Sequence, residues 1–467
     1  TVQLDCGFPA ATDRMKDRKD ADAIANSCKG KTAAVKSVEC KEKSEKAPAL
    51  YDLTSLQRDA NRVLGYTSQQ TLDYLQALYE KKLCTYPRTD SRFLTDDMES
   101  SVPALVAAAA AVCGMEKPPT ICAKQVCSSK KVTDHHAIVP TISAEKVDMA
   151  SLPLGEREVL KLAAKGLLRA VDEPHRYAET VITVDCAGQS FTAKGKTVLA
   201  PGWKRYEQEQ TEAAPALPVV TEQQTLSVSA ASVKTGKTTP PKHFTEDTLL
   251  AAMENAGKED MPDDAERKGI GTPATRSGII EKLVSSGFVE RRKSKKITNL
   301  LPTSTGTALI TVLPEQLQSP QLTAEWEHRL KEIERGEIAP DSFMGGIAAM
   351  LNDLVQTYKP IPGAEVLFPS GREVVGKCPR CGAEVTESQK GFFCENRSCA
   401  FVLWKNSRFF AAKKKALTKS LAAALLKNGR APLKGCYSEK TGKTYDAVVL
   451  LEDDGQRTGY KLVFDNG

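Results

Sequence analysis

The sequence predicts a multidomain protein of mixed α and β class. Its 467 residues suffice for about three domains. Strand-like alternation occurs near the N-terminus and again at 177–193, while an alanine- and leucine-rich helical pattern fills the residues between them. The simplest arrangement is a β-rich domain, residues 1–47 and 173–240, which is interrupted by a helical domain, residues 48–172.

The second half of the chain predicts a nucleic-acid-binding layout. A helix and a basic β-hairpin at 288–301 follow one another within residues 241–358, and this order is typical of a winged-helix-like domain. A proline-rich linker at 359–363 then precedes a cysteine-rich segment, residues 374–410. We therefore expect DNA-binding and metal-binding units after the β-rich and helical domains.

Composition narrows the class of protein. The 65 Lys and Arg residues barely exceed the 59 Asp and Glu residues, so any nucleic-acid surface must come from local clusters such as 291–296 and 413–415. A solvated charged face is the other interpretation of each cluster. The odd number of cysteines, 13, fits a reducing cytosol better than a disulfide-stapled secreted protein. The longest apolar run, 104–113, is too short to span a bilayer.

Tyr86 is the candidate nucleophile. Pro87 forces extended or turn backbone on Tyr86, directly after an amphipathic segment at 67–82, so the phenol is presented at a helix exit. A phenol can attack phosphorus as a covalent nucleophile, and Arg88 suits the phosphate oxygens whose charge grows in the transition state. An ordinary turn tyrosine with Arg88 in a surface ion pair is the alternative.

His135 and His136 are candidates for the same chemistry. They precede a short apolar segment at 137–140. Imidazoles near a reacting phosphate can bind an oxygen or relay a proton. Two structural histidines with satisfied hydrogen bonds are the alternative.

A glycine turn at 269–275 is a candidate phosphate-binding loop. Thr272 is predicted to cap a helix that Pro273 begins, so the free amides of the first turn favour a phosphate. An ordinary helix-capping loop is the alternative. With the basic hairpin that follows, we expect contact with a strand backbone, which is independent of sequence. The candidate DNA-binding residues are Gly269, Gly271, Thr272, Thr275, Arg276, Arg291, Arg292 and His136.

Four cysteines have the spacing of a zinc ribbon. Cys378 and Cys381 form one pair with two residues between them, and Cys394 and Cys399 form a second pair with four residues between them. Two such pairs supply the four thiolates of a tetrahedral zinc site. Aromatic residues surround this segment, either as the core of a small module or as stacking partners for unpaired bases.

Six segments together resemble the type IA DNA topoisomerases, and within them most closely the bacterial topoisomerase III group. The Tyr86 heptapeptide and the two segments before it resemble the active-site region of that family. The resemblance continues through the other three segments, and the order and spacing of all six agree with it. The resemblance covers most of the chain up to the cysteine-rich tail. The segments are 53–61, 71–79, 85–91, 134–141, 269–275 and 322–330.

The resemblance implies a fold and a reaction. The β-rich domain would be the arch, or gate, that encloses a hole wide enough for DNA, and residues 411–467 would be a small α+β module that follows the ribbon. Tyr86 would form a 5′ phosphotyrosine with one strand, with Arg88 and His135 beside it, before strand passage and religation. No ATP is expected, and no P-loop accompanies the Gly-Lys-Thr tripeptides.

The resemblance also implies cofactors and partners. An acidic N-terminal domain that holds Mg²⁺ completes the site in this family, and the nearest match here, 20–24, lacks its final carboxylate. We therefore expect this chain to be a piece of a longer protein, with Zn²⁺ in the ribbon and little relaxation activity alone. The expected partners are single-stranded, negatively supercoiled or catenated DNA and a helicase, with no membrane contact. We expect a monomer in the cytoplasm, at the nucleoid.

The sequence is also compatible with two other functions. The first is a non-catalytic single-stranded nucleic-acid-binding module in which the hairpin and ribbon act and Tyr86 is structural. The second is a tyrosine recombinase, which also forms a phosphotyrosine but requires an Arg, His and Arg set that is not evident here. An enzyme is expected to lose its covalent DNA adduct in a Tyr86→Phe variant, whereas the binding module would keep every activity.

Overall fold

A computed structural model describes residues 1–207, 217–257, 269–295, 297–358, 373–396 and 398–464. The chain divides into two compact units, Thr1–Tyr358 and Lys359–Gly467. Helices and several sheets occur in the described residues, so the mixed α and β class is confirmed. The predicted linker at 359–363 lies outside the described residues. No helix within these ranges is both long and apolar enough to cross a membrane.

One antiparallel sheet joins strands from both ends of the β-rich sequence. Its order is β2-β1-β6-β3-β4-β5, so segments before and after the helical insertion pair directly. Residues on one face of the strands, among them Val35, Val184 and Phe191, are buried, as period-2 alternation requires. The elements are β1 Val2–Leu4, β2 Pro9–Ala10, α1 Arg18–Cys28, β3 Thr32–Glu45, β4 His175–Cys186, β5 Gln189–Ala200 and β6 Thr225–Ala231.

The helical region packs around a core of leucine, valine and alanine. Capping boxes begin two of its helices: Asp52 pairs with Ser55, and Thr67 pairs with Gln70. The second of these helices is the amphipathic segment predicted before Tyr86. The helices are α2 Leu53–Leu64, α3 Ser68–Glu80, α4 Val102–Cys113 and α5 Leu154–Ala170.

The remainder of the first unit contains the predicted helix and hairpin. Helix α6 is held against the helical region, because Ser68 N donates to Glu246 Oε2 at 2.6 Å and Arg58 Nε contacts Asp247 Oδ1 at 2.8 Å. The elements are α6 Glu246–Asn255, α7 Pro273–Ser285, β7 Val289–Ser294, β8 Ile297–Pro302, α8 Ser304–Val312, α9 Glu315–Gln318, α10 Gln321–Glu334 and α11 Pro340–Thr357.

The second unit consists of a four-stranded sheet, order β12-β11-β10-β9, and a three-stranded sheet, order β13-β14-β15. Both are antiparallel, and residues of both contribute to a single hydrophobic core. The elements are β9 Val374–Lys377, β10 Glu384–Glu387, β11 Gly391–Cys394, β12 Val402–Trp404, α12 Arg408–Ala411, α13 Lys419–Asn428, β13 Arg430–Tyr437, β14 Thr444–Asp453 and β15 Thr458–Val463.

A buried tyrosine fixes how closely α2 and α5 approach. The Tyr51 hydroxyl donates to Asp59 Oδ2 at 2.5 Å and accepts from Arg169 Nη2 at 2.5 Å. Its ring lies against Gly166 of α5, so that a Cβ at this position would overlap the ring. Because both ends of the side chain are held, the ring has little freedom to move aside.

Replacement of this glycine tests that packing. Gly166→Ala is expected to lower the free energy of unfolding by about 1–3 kcal/mol, because it overpacks a rigid aromatic contact. Gly278→Ala is the control, since Gly278 lies in α7 with open space around its Cβ position, and it is expected to raise that free energy by about 0.4–1 kcal/mol. Denaturant unfolding measures the free energy of unfolding of both variants, and hydrogen exchange reports on the stability of α5. Equal stability of the two variants would contradict a fixed Tyr51.

Candidate active site

The Tyr86 segment leaves α3 and pairs with a distant stretch of chain. Lys82 has a positive φ of 61°, which ends the helical direction. Thr85 N then donates to Val139 O at 3.0 Å, and Val139 N donates to Thr85 Oγ1 at 3.0 Å. Cys84 and Pro140 form an isolated antiparallel bridge next to this pair. These contacts fix the position of Tyr86 relative to residues 135–140.

The Tyr86 phenol lies at the surface between two other rings. Its side chain is half-buried, the His135 ring centroid is 4.2 Å away with an interplanar angle of 39°, and the Tyr79 ring meets it edge-on at 5.4 Å. Within the described residues, the Tyr86 hydroxyl has no hydrogen-bond partner. The oxygen is therefore not committed to the core and is available to a ligand.

Arg88 is exposed on the same loop. Its Nη1 donates to Gln76 Oε1 at 3.2 Å, and Gln76 lies one helical turn before Tyr79 on α3. A single long hydrogen bond to a neutral amide holds the guanidinium weakly, so a phosphate can replace it at small cost. Sequence reasoning missed Gln76 and Tyr79, although their i, i+3 spacing at the end of the preceding helix places both beside the loop.

The two histidines occupy different environments. His135 is exposed, and its carbonyl accepts from Thr89 Oγ1 at 2.8 Å, which fixes the backbone beside Tyr86. His136 is half-buried, and its Nδ1 lies 2.9 Å from Ala137 O. The structure thus brings His135 to the phenol, whereas the His136 ring is turned to the backbone.

The glycine turn begins α7 as the sequence suggested. Gly269 and Gly271 have φ of 68° and 67°, and a Cβ at 269 would overlap the carbonyl of Met253, so glycine is required there. Thr272 N donates to Thr275 Oγ1 at 2.9 Å, which ties the cap residue to the first turn. Helix α7 also packs against α2 and α3. The turn therefore joins the helical region that carries Tyr86.

Arg276 does not lie where the sequence suggested. Only 2% of it is exposed, and its guanidinium donates to Ile270 O at 3.2 Å, Gly271 O at 3.1 Å and Thr54 Oγ1 at 3.0 Å. Burial lowers its pKa, and the nearby carboxylates of Glu254 and Asp52 oppose that shift. Direct contact with DNA does not fit this burial, because the guanidinium is enclosed by the loop that it holds.

The N-terminus of α2 connects the two parts of the site. Leu53 N donates to Thr89 O at 3.1 Å, three residues after Tyr86, and the next residue, Thr54, accepts from Arg276. Asp52 is buried beside them, and burial raises the pKa of its carboxyl. One helix end thus contacts both the Tyr86 segment and the glycine turn.

The hairpin arginines also differ from each other. Burial alone would lower the pKa of Arg291, but its hydrogen bonds to Glu281 and Glu246 raise it. Arg292 is exposed and pairs with Glu290 on its own strand. Arg291 therefore connects the hairpin to α6 and α7, and Arg292 is the hairpin arginine that faces solvent.

Comparison with known proteins identifies the family of this chain. A family model described as DNA topoisomerase matches residues 8–345. The chain belongs to the DNA topoisomerase family. Similar curated proteins are DNA topoisomerase 3 of Bacillus subtilis strain 168, 36% identical over 80% of this chain and 54% of that protein, and DNA topoisomerase 3 of Bacillus cereus ATCC 10987, 32% identical over 83% and 55%. They support the type IA, topoisomerase III-like assignment.

A solved structure supports the fold. Full-length topoisomerase I from Thermotoga maritima aligns with a TM-score of 0.57 at 21% identity, over 86% of this chain and 64% of that chain. The 467-residue chain itself spans about half the length of the curated relatives that it matches. In this member of the family, the half-buried Tyr86 phenol lies beside an exposed imidazole, with an exposed guanidinium on the same loop.

The four predicted zinc ligands of this topoisomerase-family chain meet in the second unit. The sulfur atoms of Cys378, Cys381, Cys394 and Cys399 lie within 4.8 Å of one another. A backbone hydrogen bond from Ala383 is the main cause that lowers the pKa of Cys381 to about 7. In the described part of the chain, this is the only group of three or more potential ligands. Four converging thiols fit one tetrahedral metal ion.

Aromatic rings flank the cysteine cluster in two different ways. Phe392, Phe401 and Phe410 are buried in the core, whereas Trp404 is 44% exposed and meets Phe393 edge-on at 5.4 Å. The three buried rings therefore belong to the core of the small module, which was one of the two alternatives for the aromatic residues. Trp404 alone of these five presents a large ring face to solvent.

The burial of Arg276 yields a test of the connection between α7 and α2. Arg276→Ala is expected to lower the free energy of unfolding by at least about 2 kcal/mol, because three acceptors are deprived of a charged donor inside the protein. Faster hydrogen exchange and proteolysis at 269–272 should accompany this destabilisation. Arg292→Ala, on the exposed hairpin, is the control and should change stability by less than about 0.5 kcal/mol. Equal effects would contradict a bracing role for Arg276.

Proposed function

We propose that this chain carries the strand-cleaving tyrosine of a type IA, topoisomerase III-like enzyme. In the proposed reaction, one DNA strand is cleaved through Tyr86, another strand passes the gap, and the first is resealed without ATP. The observation that supports this most directly is the accessible Tyr86 phenol, with the His135 ring at 4.2 Å and Arg88 exposed on the same loop. The chain spans about half of its curated relatives, so the activity of the whole protein is part of the proposal.

The proposed chemical step is a transesterification. The Tyr86 oxygen forms a bond to the phosphorus, the bond from phosphorus to the 3′ oxygen breaks, and the phenolic proton passes to the departing 3′ oxygen. The product is a 5′ phosphotyrosine and a free 3′ hydroxyl. The number of phosphoester bonds is unchanged, so the reverse reaction reseals the strand and no nucleotide is consumed.

The neighbouring side chains have separate roles in this proposal. Arg88 leaves Gln76 and pairs with the non-bridging oxygens, whose negative charge grows in the transition state. His135 holds a phosphate oxygen or relays the proton, since its ring is adjacent and exposed. Tyr79 packs edge-on against Tyr86 and restricts its ring, so that the hydroxyl keeps one direction. Positioning and charge stabilisation then supply the catalysis.

The glycine turn is the proposed holder of the cleaved strand. The first turn of α7 and the side chains of Thr272 and Thr275 face the entry of this helix, where the positive end of the helix dipole favours a phosphate. Arg276 acts here as a positioning residue, because it fixes the loop carbonyls rather than the strand. Arg292 and the hairpin extend the contact, and Arg291 anchors the hairpin.

The two implied metals fit the chain differently. Within the described ranges, no cluster of carboxylates offers a magnesium site, so no step above is assigned to Mg²⁺. The Cys378, Cys381, Cys394 and Cys399 thiolates suit Zn²⁺, which would act structurally by closing the small ribbon. An exposed Trp404 beside it is a proposed stacking surface for an unpaired base.

The remaining expectations are part of the same proposal. Single-stranded regions of negatively supercoiled or catenated DNA are the proposed substrates, because they supply the unpaired strand that Tyr86 requires. A helicase partner, a monomeric state and a cytoplasmic location at the nucleoid stay predictions. The non-catalytic binding module remains the alternative, and the first experiment below distinguishes it.

The nucleophile is tested in the full-length parent protein. With labelled single-stranded DNA, the wild type is expected to form a denaturant-resistant covalent adduct, and Tyr86→Phe is expected to form none, because phenylalanine lacks the attacking oxygen. Tyr79→Phe is the matched control, since it removes the neighbouring phenol, and it should retain the adduct. DNA binding should persist in both variants. An adduct in Tyr86→Phe, or its loss in Tyr79→Phe alone, would refute the assignment.

The metal site is tested by zinc analysis. One zinc ion per chain is expected, and Cys399→Ser should reduce zinc affinity by at least about tenfold, because it removes one of four thiolate ligands. Cys40→Ser is the control, since Cys40 is an exposed thiol outside the cluster. Elemental analysis after dialysis against a chelator measures both. Unchanged zinc content in Cys399→Ser would contradict the site.

A further inference from the structure

The β-rich part of the chain contains a basic cavity that the proposed cleavage site does not use. Two loops, residues 12–18 and 232–238, form its rim, and Phe191 and one face of α1 form its floor. Its volume is about 630 Å³, which is within the range of sites for small organic ligands. None of its lining residues belongs to the helical segment 48–172 that carries Tyr86.

The rim of the basic cavity carries positive charge that the described residues do not fully neutralise. Arg18 is paired with Asp22 at 3.5 Å, and the Asp17 side chain accepts from Lys19 N at 2.8 Å, so these groups are partly occupied. Asp13 is the other lining carboxylate. Four further cations are exposed and, in the part of the chain that the structure describes, form no ion pair: Arg14, Lys16, Lys234 and Lys237.

The floor of the basic cavity is apolar. Its accessible apolar surface comes from Ala21 and Ile24, which are half-buried, and from Met15, which is 38% exposed, while the lining residues Val2 and Phe191 are buried. A simple inorganic anion gains nothing from such a floor. A nucleotide does, because its phosphate contacts the cations of the rim while its sugar and base cover apolar surface.

We propose that the basic cavity is a second binding site for a single DNA strand, separate from the strand held at Tyr86. The inference rests on the proposed function, because an enzyme that passes one strand through another must hold DNA away from its nucleophile. The loops at 12–18 and 232–238 contact the phosphates, and the floor accommodates a base. A DNA strand is favoured over an acidic peptide because its charges repeat along the chain next to large apolar bases.

The test measures binding of the chain to a fluorescein-labelled oligothymidine by fluorescence anisotropy over a salt series. The variant of the basic cavity, called the cavity variant, combines Arg14→Ala, Lys16→Ala, Lys234→Ala and Lys237→Ala. It is expected to bind at least about tenfold more weakly, with a salt slope that is shallower by about 0.7 for each phosphate that the variant no longer neutralises. All four residues are exposed, so the melting temperature should not change.

A matched control separates local from global charge. The control variant replaces four exposed lysines outside the cavity, Lys29, Lys41, Lys117 and Lys146, with alanine. It has the same net charge as the cavity variant and should bind oligothymidine nearly as well as the unmodified chain does. Photocrosslinking with 4-thiothymidine oligonucleotides should also label peptides from 12–18 or 232–238 in the unmodified chain.

The outcomes distinguish this inference from the proposed function. In one outcome, Arg88→Ala weakens binding of oligothymidine, the cavity variant binds as the control variant does, and no crosslink maps to the two loops. The second site is then refuted, and the Tyr86 proposal stands. If polyglutamate binds as tightly as oligothymidine and displaces it, the cavity is a protein-binding site and the inference is overturned. If the unmodified chain binds no single-stranded DNA, the second site is overturned, whereas the Tyr86 assignment is overturned only by the adduct experiment on the full-length parent protein.

Discussion

The reciprocal hydrogen bonds between Thr85 and Val139 are the constraint on which the candidate site depends. Two short segments, separated by the whole of α4, pair through both the backbone and the Thr85 hydroxyl. A second contact, from Thr89 Oγ1 to His135 O, fixes the other end of the pairing. The chain is thus attached at Thr85, before Tyr86, and at Thr89, after it. The phenol and the His135 ring therefore have little freedom except to face each other.

The α2 N-terminus extends this constraint to the glycine turn. Leu53 binds the Tyr86 segment through its amide, and Thr54 binds Arg276 through its hydroxyl. A buried arginine is costly unless its donors are paired, and here described acceptors on two elements receive them. The cost of placing a guanidinium inside the protein is thus offset by contacts that join the glycine turn to the Tyr86 segment. Catalysis that relies on positioning requires a connection of this kind.

Some cations of this chain are held by internal acceptors, and others are exposed to solvent. Arg276 and Arg291 are engaged by internal acceptors, whereas Arg88, Arg14 and Lys234 face solvent. A net charge of only +6 therefore understates the local positive potential of the surface, because clusters of cations and not the total charge decide that potential. Arginine thus acts as a brace where it is buried and is the proposed phosphate contact where it is exposed.

The sequence by itself determined what depends on near neighbours. Pro87 fixes the backbone of Tyr86, Thr272 and Thr275 begin α7, and the cysteine spacing specifies four thiolates, because turns, caps and ligand pairs act over a few residues. Only the tertiary structure decided that His135 meets Tyr86, that Arg276 is buried and that two loops enclose a basic cavity. These contacts join segments far apart in the chain, so they depend on how helices and strands pack, which no local pattern encodes.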